Sequence, residues 1–311
     1  MQYLYNNPGQ FMSVQKTPQV LIIGATNAGF AACRRLSEAK PDWKVTLLAQ
    51  DDDLPYNCDL LPDYLEGKMS KREILLCEEG FFSGHNVEFA RSAAVSGIDF
   101  PRQRVYLKNN RRLAYDYLIV AGGRKPALDI PGKGKEGVFV FFGLSDADEI
   151  RRRLSIPGNV VVCGRADDSQ RLAGLFSSAG RTVKLLLKEG GESSHLPGDN
   201  PEILGGTDIV EIIGEGKELK AVRLSGGKIV EAASVIFCRR GNPCMDFAAG
   251  GEAEIENGRI KTGGNLRAGV DNVFACGEAA AESGAEDARL QGIRAADEIL
   301  AAESGKTEAV V

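Results

Sequence analysis

Gly24 and Gly29 follow the apolar run 20–23 and precede a stretch with helical spacing, Phe30, Cys33 and Leu36. A glycine turn between a buried strand and a helix is suited to holding an anion. The first glycine permits the tight turn, and the last lets the helix lie close on the strand. The unpaired N–H groups of the first helical turn, at the positive end of the helix dipole, then receive a pyrophosphate. A second glycine ordinarily stands between these two so that phosphate can approach the backbone, and here Thr26 replaces it. The turn reads Gly24-Ala-Thr26-Asn27-Ala28-Gly29, and the Thr26 hydroxyl could donate to phosphate if the backbone admits its Cβ. Taken alone, this stretch is also compatible with an ordinary strand–turn–helix that binds nothing.

A second stretch repeats the arrangement, with strands at 159–163 and 182–187 around a turn and a helix. Gly164 opens this turn, but Ala166 takes the inner glycine position and Ser169 the last. Asp167 and Asp168 fall where a pyrophosphate would meet the helix. The dipole favours a carboxylate there by about 0.3–1 kcal/mol, and that carboxylate occupies or repels the anion's place. An acid at the end of the following strand ordinarily bonds a ribose, and here Leu187 and Lys188 stand instead. The first unit lacks that acid too: Ala49 follows its second strand, then Gln50 and three aspartates, with Gln50 or Asp51 as the expected substitute. The second turn is therefore expected to bind a dinucleotide poorly, and the first to retain more of its function.

These turns need two α/β domains to present them, and 311 residues suffice for two of ordinary size. The composition is globular, with 43% hydrophobic and 26% charged residues. A net charge of −5 leaves no basic field for nucleic acid or an anionic membrane. The apolar runs are strand-sized and none is long enough to span a bilayer. The N-terminal residues 1–18 lack the basic flank and apolar core of a signal peptide and read as an arm before the first strand. Seven scattered cysteines without C-x-x-C, and two histidines, suggest neither a disulfide framework nor a metal site. A reducing cytoplasm is the expected location.

The run Leu54-Pro-Tyr-Asn-Cys-Asp-Leu-Leu-Pro-Asp-Tyr-Leu-Glu-Gly-Lys68 resembles the L-P-Y-N-R-x-L-L-S-x-Y-L-x-G-K stretch of FAD-dependent pyridine nucleotide-disulfide oxidoreductases. It is most like the branch with rubredoxin reductases and the flavin-binding part of assimilatory nitrite reductases. Cys58 replaces the Arg of that pattern and Pro62 the Ser. Further landmarks follow in the family's order. Tyr115-Asp-Tyr-Leu-Ile-Val-Ala-Gly-Gly-Arg-Lys-Pro126 is similar to Y-D-x-L-I-I-A-T-G-x-x-P, and Asn272-Val-Phe-Ala-Cys-Gly-Glu278 to V-F-A-x-G-D. Gln291-Gly292 lies in a final helix, 288–300, like the family's closing helix beside the flavin.

The resemblance covers about residues 18 to 301. It implies an α/β fold of two Rossmann-like FAD/NAD(P)-binding domains, the second inserted in the first: 1–143 with 247–311, and 144–246. FAD is the implied cofactor. Its pyrophosphate is expected near Gly24, Thr26, Asn27, Ala28 and Gly29, and its adenosine near Gln50, Ala94 and Val95. The Ala121-Gly122-Gly123 segment returns to the pyrophosphate, and Gly277 and Glu278 meet the ribityl chain. Residues 87–99 are read as one strand, 104–107 and 112–116 as a hairpin, and 208–213 with 218–224 as an alternating pair. Some relatives use one cysteine near the flavin, which makes Cys58 the candidate catalytic thiol. Asp59 beside it disfavours the thiolate, which favours reading Cys58 as an incidental replacement of Arg.

The implied activity moves electrons between NAD(P)H or a protein carrier and an acceptor, the flavin doing the redox chemistry. One alternative is a relay subunit that keeps FAD and has lost NAD(P)H binding, with an electron-transfer protein as partner. Another is a cofactor-free interaction protein. Gly24-Ala-Thr26 and Tyr64-x-x-x-Lys68 also raise a short-chain dehydrogenase, but the Tyr/Lys pair comes too early in the chain and the late Cys276-Gly277-Glu278 landmark would go unexplained.

Overall fold

The computed structural model describes residues 17–122, 124–125, 128–164, 166–187, 201–238, 242–243, 245–248, 251–281 and 287–308. The described helices are α1 (Asn27–Ala39), α2 (Leu61–Leu65), α3 (Lys71–Ile74), α4 (Gly80–Gly84), α5 (Leu144–Leu154), α6 (Ala166–Ser178) and α7 (Ala288–Glu308). Two five-stranded sheets carry them. The first places its parallel strands in the order Val273–Ala275, Tyr117–Val120, Gln19–Ile23, Lys44–Leu48, Val87–Ala90.

These strands are mostly apolar because both faces of the sheet are covered. Val20 and Ile22 point to one face, where Leu36 of α1 and Ile299 of α7 pack. Leu21 and Ile23 point to the other, where Val105 and Leu107 pack. This alternation is the period-2 geometry of a strand. The second face is roofed by an antiparallel sheet of Val95–Asp99, Arg104–Leu107 and Arg112–Ala114.

The second sheet repeats the plan. Its order is Glu202–Gly205, Val183–Leu187, Val160–Gly164, Ser234–Cys238, Val138–Val140, all parallel. Leu144 and Ile150 of α5 and Leu172 and Phe176 of α6 cover one face. The antiparallel strands Ile209–Glu215, Glu218–Leu224 and Ile229–Glu231 cover the other. The chain leaves the first sheet, builds the second, and returns for Val273–Ala275 beside Tyr117–Val120. The fold is thus two Rossmann-like units, the second inserted in the first.

Three details differ from the sequence reading. Residues 87–99 form two strands, not one: Val87–Ala90 stays in the parallel sheet, the chain turns at Ser92 (φ 50°), and Val95–Asp99 joins the antiparallel roof. Val138–Val140, ahead of the expected junction at 143/144, pairs with Ser234–Cys238 in the second sheet. Finally, α2 belongs to the first unit in sequence but not in packing. Leu61, Tyr64 and Leu65 share one helical face at i, i+3 and i+4. That face and Ile74 are buried in one core with Leu144, Ala147, Ile150 and Phe176 of the second unit.

Candidate dinucleotide site

Gly24 leaves the first strand at φ +104°, and its N–H still reaches Leu48 O at 2.9 Å. A Cβ on Gly29 would lie 1.9 Å from the Gly24 carbonyl oxygen, so α1 can seat this closely only on a glycine. Thr26 caps α1: its hydroxyl oxygen accepts the Gly29 N–H at 3.2 Å, and its proton goes to Ala121 O at 3.0 Å. That proton ties the turn to the exit of strand Tyr117–Val120.

Asn27, the first residue of α1, donates from Nδ2 to Asn57 Oδ1 at 2.9 Å and to Asp59 Oδ2 at 3.4 Å. Asn57 Oδ1 also accepts the Asp59 N–H at 3.1 Å, capping the short turn Cys58–Leu60. The turn carrying Cys58 is thereby fastened to the mouth of the glycine turn. The orientation of the Asn27 amide is set by these bonds, and its Oδ1 is buried without a hydrogen-bond partner.

At the same end of α1, buried Gln291 accepts the Gly277 N–H at 2.7 Å. Gly277 packs against Ala28, where a Cβ would come within 3.1 Å of the Ala28 methyl, and Glu278 is left exposed beside it. Cys58 is solvent-accessible as a residue, yet its sulfur is desolvated by the atoms around it. That desolvation first, then the charges of Asp59 and Glu278, push its thiol up to about 11. These residues lie close enough to act on one another, but the environment suppresses the thiolate that redox chemistry needs.

Gln50 is exposed beyond strand Lys44–Leu48. Ala49 O accepts the Ala93 N–H at 2.8 Å, which brings Ala94 and Val95 to the same strand end. Gly122 faces Met245 and Phe247, whose nearest atoms would be 3.6 and 3.7 Å from a Cβ at that position. Neither apolar residue was singled out by sequence reasoning, because only the fold brings 245–247 back to the first unit. Gly123 lies outside the described residues.

The second turn is built differently. A Cβ on Gly164 would meet Cys238 O at 2.3 Å, much as one on Gly24 would meet Ala121 O at 2.6 Å, so in both turns the opening glycine lies against a neighbouring strand's carbonyl. Asp167, exposed, and Asp168, half-buried, stand in the first turn of α6. Ser169 is fully enclosed at 0% exposure, where the matching Gly29 position has no room for a single carbon. So α6 does not seat on its glycine as α1 does. Arg165 lies outside the described residues, as does Lys188.

Sequence reasoning also missed a polar clamp between the units. Arg171 on α6 bonds Glu66 at 2.7 Å and Asp63 at 2.6 Å, the latter 108 residues away in sequence. Tyr64 donates to Asp148 of α5, and Arg151 lies over the Tyr64 ring at 4.9 Å. The Arg171 bond, joined by Lys68, holds Glu66 below the usual carboxylate range. Acids at 63 and 66 flanking an apolar pair were the sole local signal, and no sequence pattern names their partner.

Residues 18–191 match the family described as pyridine nucleotide-disulphide oxidoreductase. The chain is 27% identical over 239 residues to the epsilon subunit of NADH-dependent phenylglyoxylate dehydrogenase from Aromatoleum evansii, covering 76% of this chain and 52% of that protein. It is 24% identical to a nitrite reductase [NAD(P)H] of Bacillus subtilis, covering 86% of this chain and 35% of that one. The chain spans about half, or less, of the length of these curated relatives. Among solved structures, a ferredoxin reductase from Rhodopseudomonas palustris superposes with a TM-score of 0.80 at 22% identity, covering 91% of this chain and 76% of that one. A covalent putidaredoxin reductase–putidaredoxin complex gives the same TM-score at 20% identity, covering 91% and 75%.

Proposed function

Because the chain belongs to the pyridine nucleotide-disulphide oxidoreductase family, we propose that it is an FAD-dependent oxidoreductase that moves electrons between NAD(P)H or a protein carrier and an acceptor. The observation that carries this reading is the first turn: a Cβ on Gly29 would fall 1.9 Å from Gly24 O, so strand and helix meet in the close seat a pyrophosphate cradle requires. The residues fit the cofactor in a second respect. The buried, unpartnered Asn27 Oδ1 is an acceptor, which suits the hydroxyl-rich ribityl chain. Gly24, Ala28 and Gly29 would hold the pyrophosphate end, Gln50, Ala94 and Val95 the adenosine, and Asn27 with Glu278 the ribityl chain. The flavin supplies the hydride and electron chemistry when bound, and this chain's residues position it and keep its surroundings acidic.

The second turn favours a narrower form of the reading, an FAD-containing relay that takes electrons from a protein partner. A phosphate charge about 5 Å from a carboxylate meets a repulsion of roughly 3 kcal/mol at an effective dielectric near 20. Solvent removes much of that for exposed Asp167 and less for Asp168. The relative named as the epsilon subunit of an NADH-dependent dehydrogenase supports membership of a larger assembly. Among the described residues no helix is long and apolar enough to cross a membrane. The six free described cysteines support our proposal of a cytoplasmic site of action. We draw the division between the units ahead of Val138 rather than at 143/144, because that strand belongs to the second sheet.

The test is a visible spectrum of the purified protein before and after dithionite, NADH and NADPH. Yellow protein bleached by dithionite alone supports the relay; bleaching by either nucleotide restores the NAD(P)H reductase. Glu278→Ala should lose flavin on gel filtration. Colourless protein that takes up no added FAD sinks the proposal.

A further inference from the structure

We propose that Asp59 is a resident anion over the N-terminus of α1, weakening that terminus's hold on a dinucleotide phosphate so that the chain exchanges its flavin with solution. This inference rests on the flavin reading above.

The N-terminus of α1 is the element that should attract the pyrophosphate, through its free N–H groups and the helix dipole. In this chain a carboxylate lies beside that terminus, against the side chain of its first residue: Asp59 Oδ2 is 3.4 Å from Asn27 Nδ2. Asp59 is kept in place through its backbone N–H, held by Asn57 at 3.1 Å, while Asn57 is itself bonded to Asn27 at 2.9 Å. No lysine or arginine pairs with Asp59 among the described residues. The position that carries Arg in the resembling L-P-Y-N-R stretch is Cys58, so the neighbouring positive charge that would offset Asp59 is missing.

The turn also offers fewer groups to a phosphate than two outer glycines suggest. Thr26 takes up the Gly29 N–H, and its own hydroxyl proton is given to Ala121 O. A phosphate arriving here therefore meets a capped helix end with a like charge beside it. Asp59 is exposed, so solvent screens this repulsion without abolishing it.

The test titrates FAD into the full chain, with flavin fluorescence reporting binding, for the parent, Asp59→Asn and Cys58→Arg. At low salt each variant should bind about tenfold more tightly than the parent, a like charge having been removed or offset. Both gaps should close by 1 M salt, where the screening length is about 3 Å. Equal affinities at low salt, weaker binding by Asp59→Asn, or a gap that survives 1 M salt would overturn the inference and leave the flavin reading standing. Failure of parent and variants alike to take up FAD would remove the flavin reading, and this inference with it.

Discussion

Gly29→Ala tests the seat of α1 directly. The added methyl would sit 1.9 Å from Gly24 O and 3.1 Å from the Ala121 Cβ. A carbon–oxygen contact ordinarily needs about 3.3 Å, so helix and strand must part by roughly 1.4 Å. Overpacking of this kind costs about 1–3 kcal/mol. The shift also pulls the Gly29 N–H from Thr26, a cap bond of 3.2 Å whose loss costs about 1 kcal/mol. Together these destabilise the first unit by about 3 kcal/mol, or roughly 6–12 °C in midpoint for a domain of this size. The assay is thermal unfolding with and without added FAD, which should protect the parent and fail to protect the variant. Ser169→Ala is the control, because the matching position on α6 already encloses a side chain and should lose only about 1 kcal/mol. A Gly29→Ala midpoint within about 2 °C of the parent, with FAD protection retained, would refute the close seat and the cradle built on it.

Arg171→Met should cost about 1–2 kcal/mol at neutral pH, because Arg171 bonds Glu66 and Asp63 while about a third exposed. Glu66 titrates below its ordinary value when folded, so this contribution is present above the ordinary carboxylate range and lost as pH falls through the folded value. Urea unfolding should show the variant–parent gap closing below about pH 4, and an undiminished gap at pH 3 would count against the clamp. Alkylation of Cys58, followed by peptide-resolved mass spectrometry, should be slow at pH 7 and rise toward a midpoint of about 11. Rapid labelling with a midpoint below the ordinary thiol value would reopen its redox role.

The sequence alone determined the local chemistry. Apolar runs bounded by glycines specify strands covered on both faces, and the spacing of Gly24 and Gly29 specifies a helix closed tightly on a strand, because both patterns act within one turn of chain. The order of the family landmarks likewise placed Gly277 and Glu278 with the first unit, against their distance along the chain. The tertiary structure alone decided what those residues have left to offer. Thr26 can cap a helix or serve a phosphate, and the choice fell to Ala121, whose carbonyl takes its proton at 3.0 Å. Gly24 and Gly164 both lie against a neighbouring strand's carbonyl, and the turns part only at their last position, where Gly29 has no room for a carbon and Ser169 is enclosed with its side chain. Asp59 meets Asn27, and Arg171 meets Asp63, across 32 and 108 residues. Such pairings depend on how two sheets and their helices come together, a many-body packing problem that no periodicity in the chain encodes.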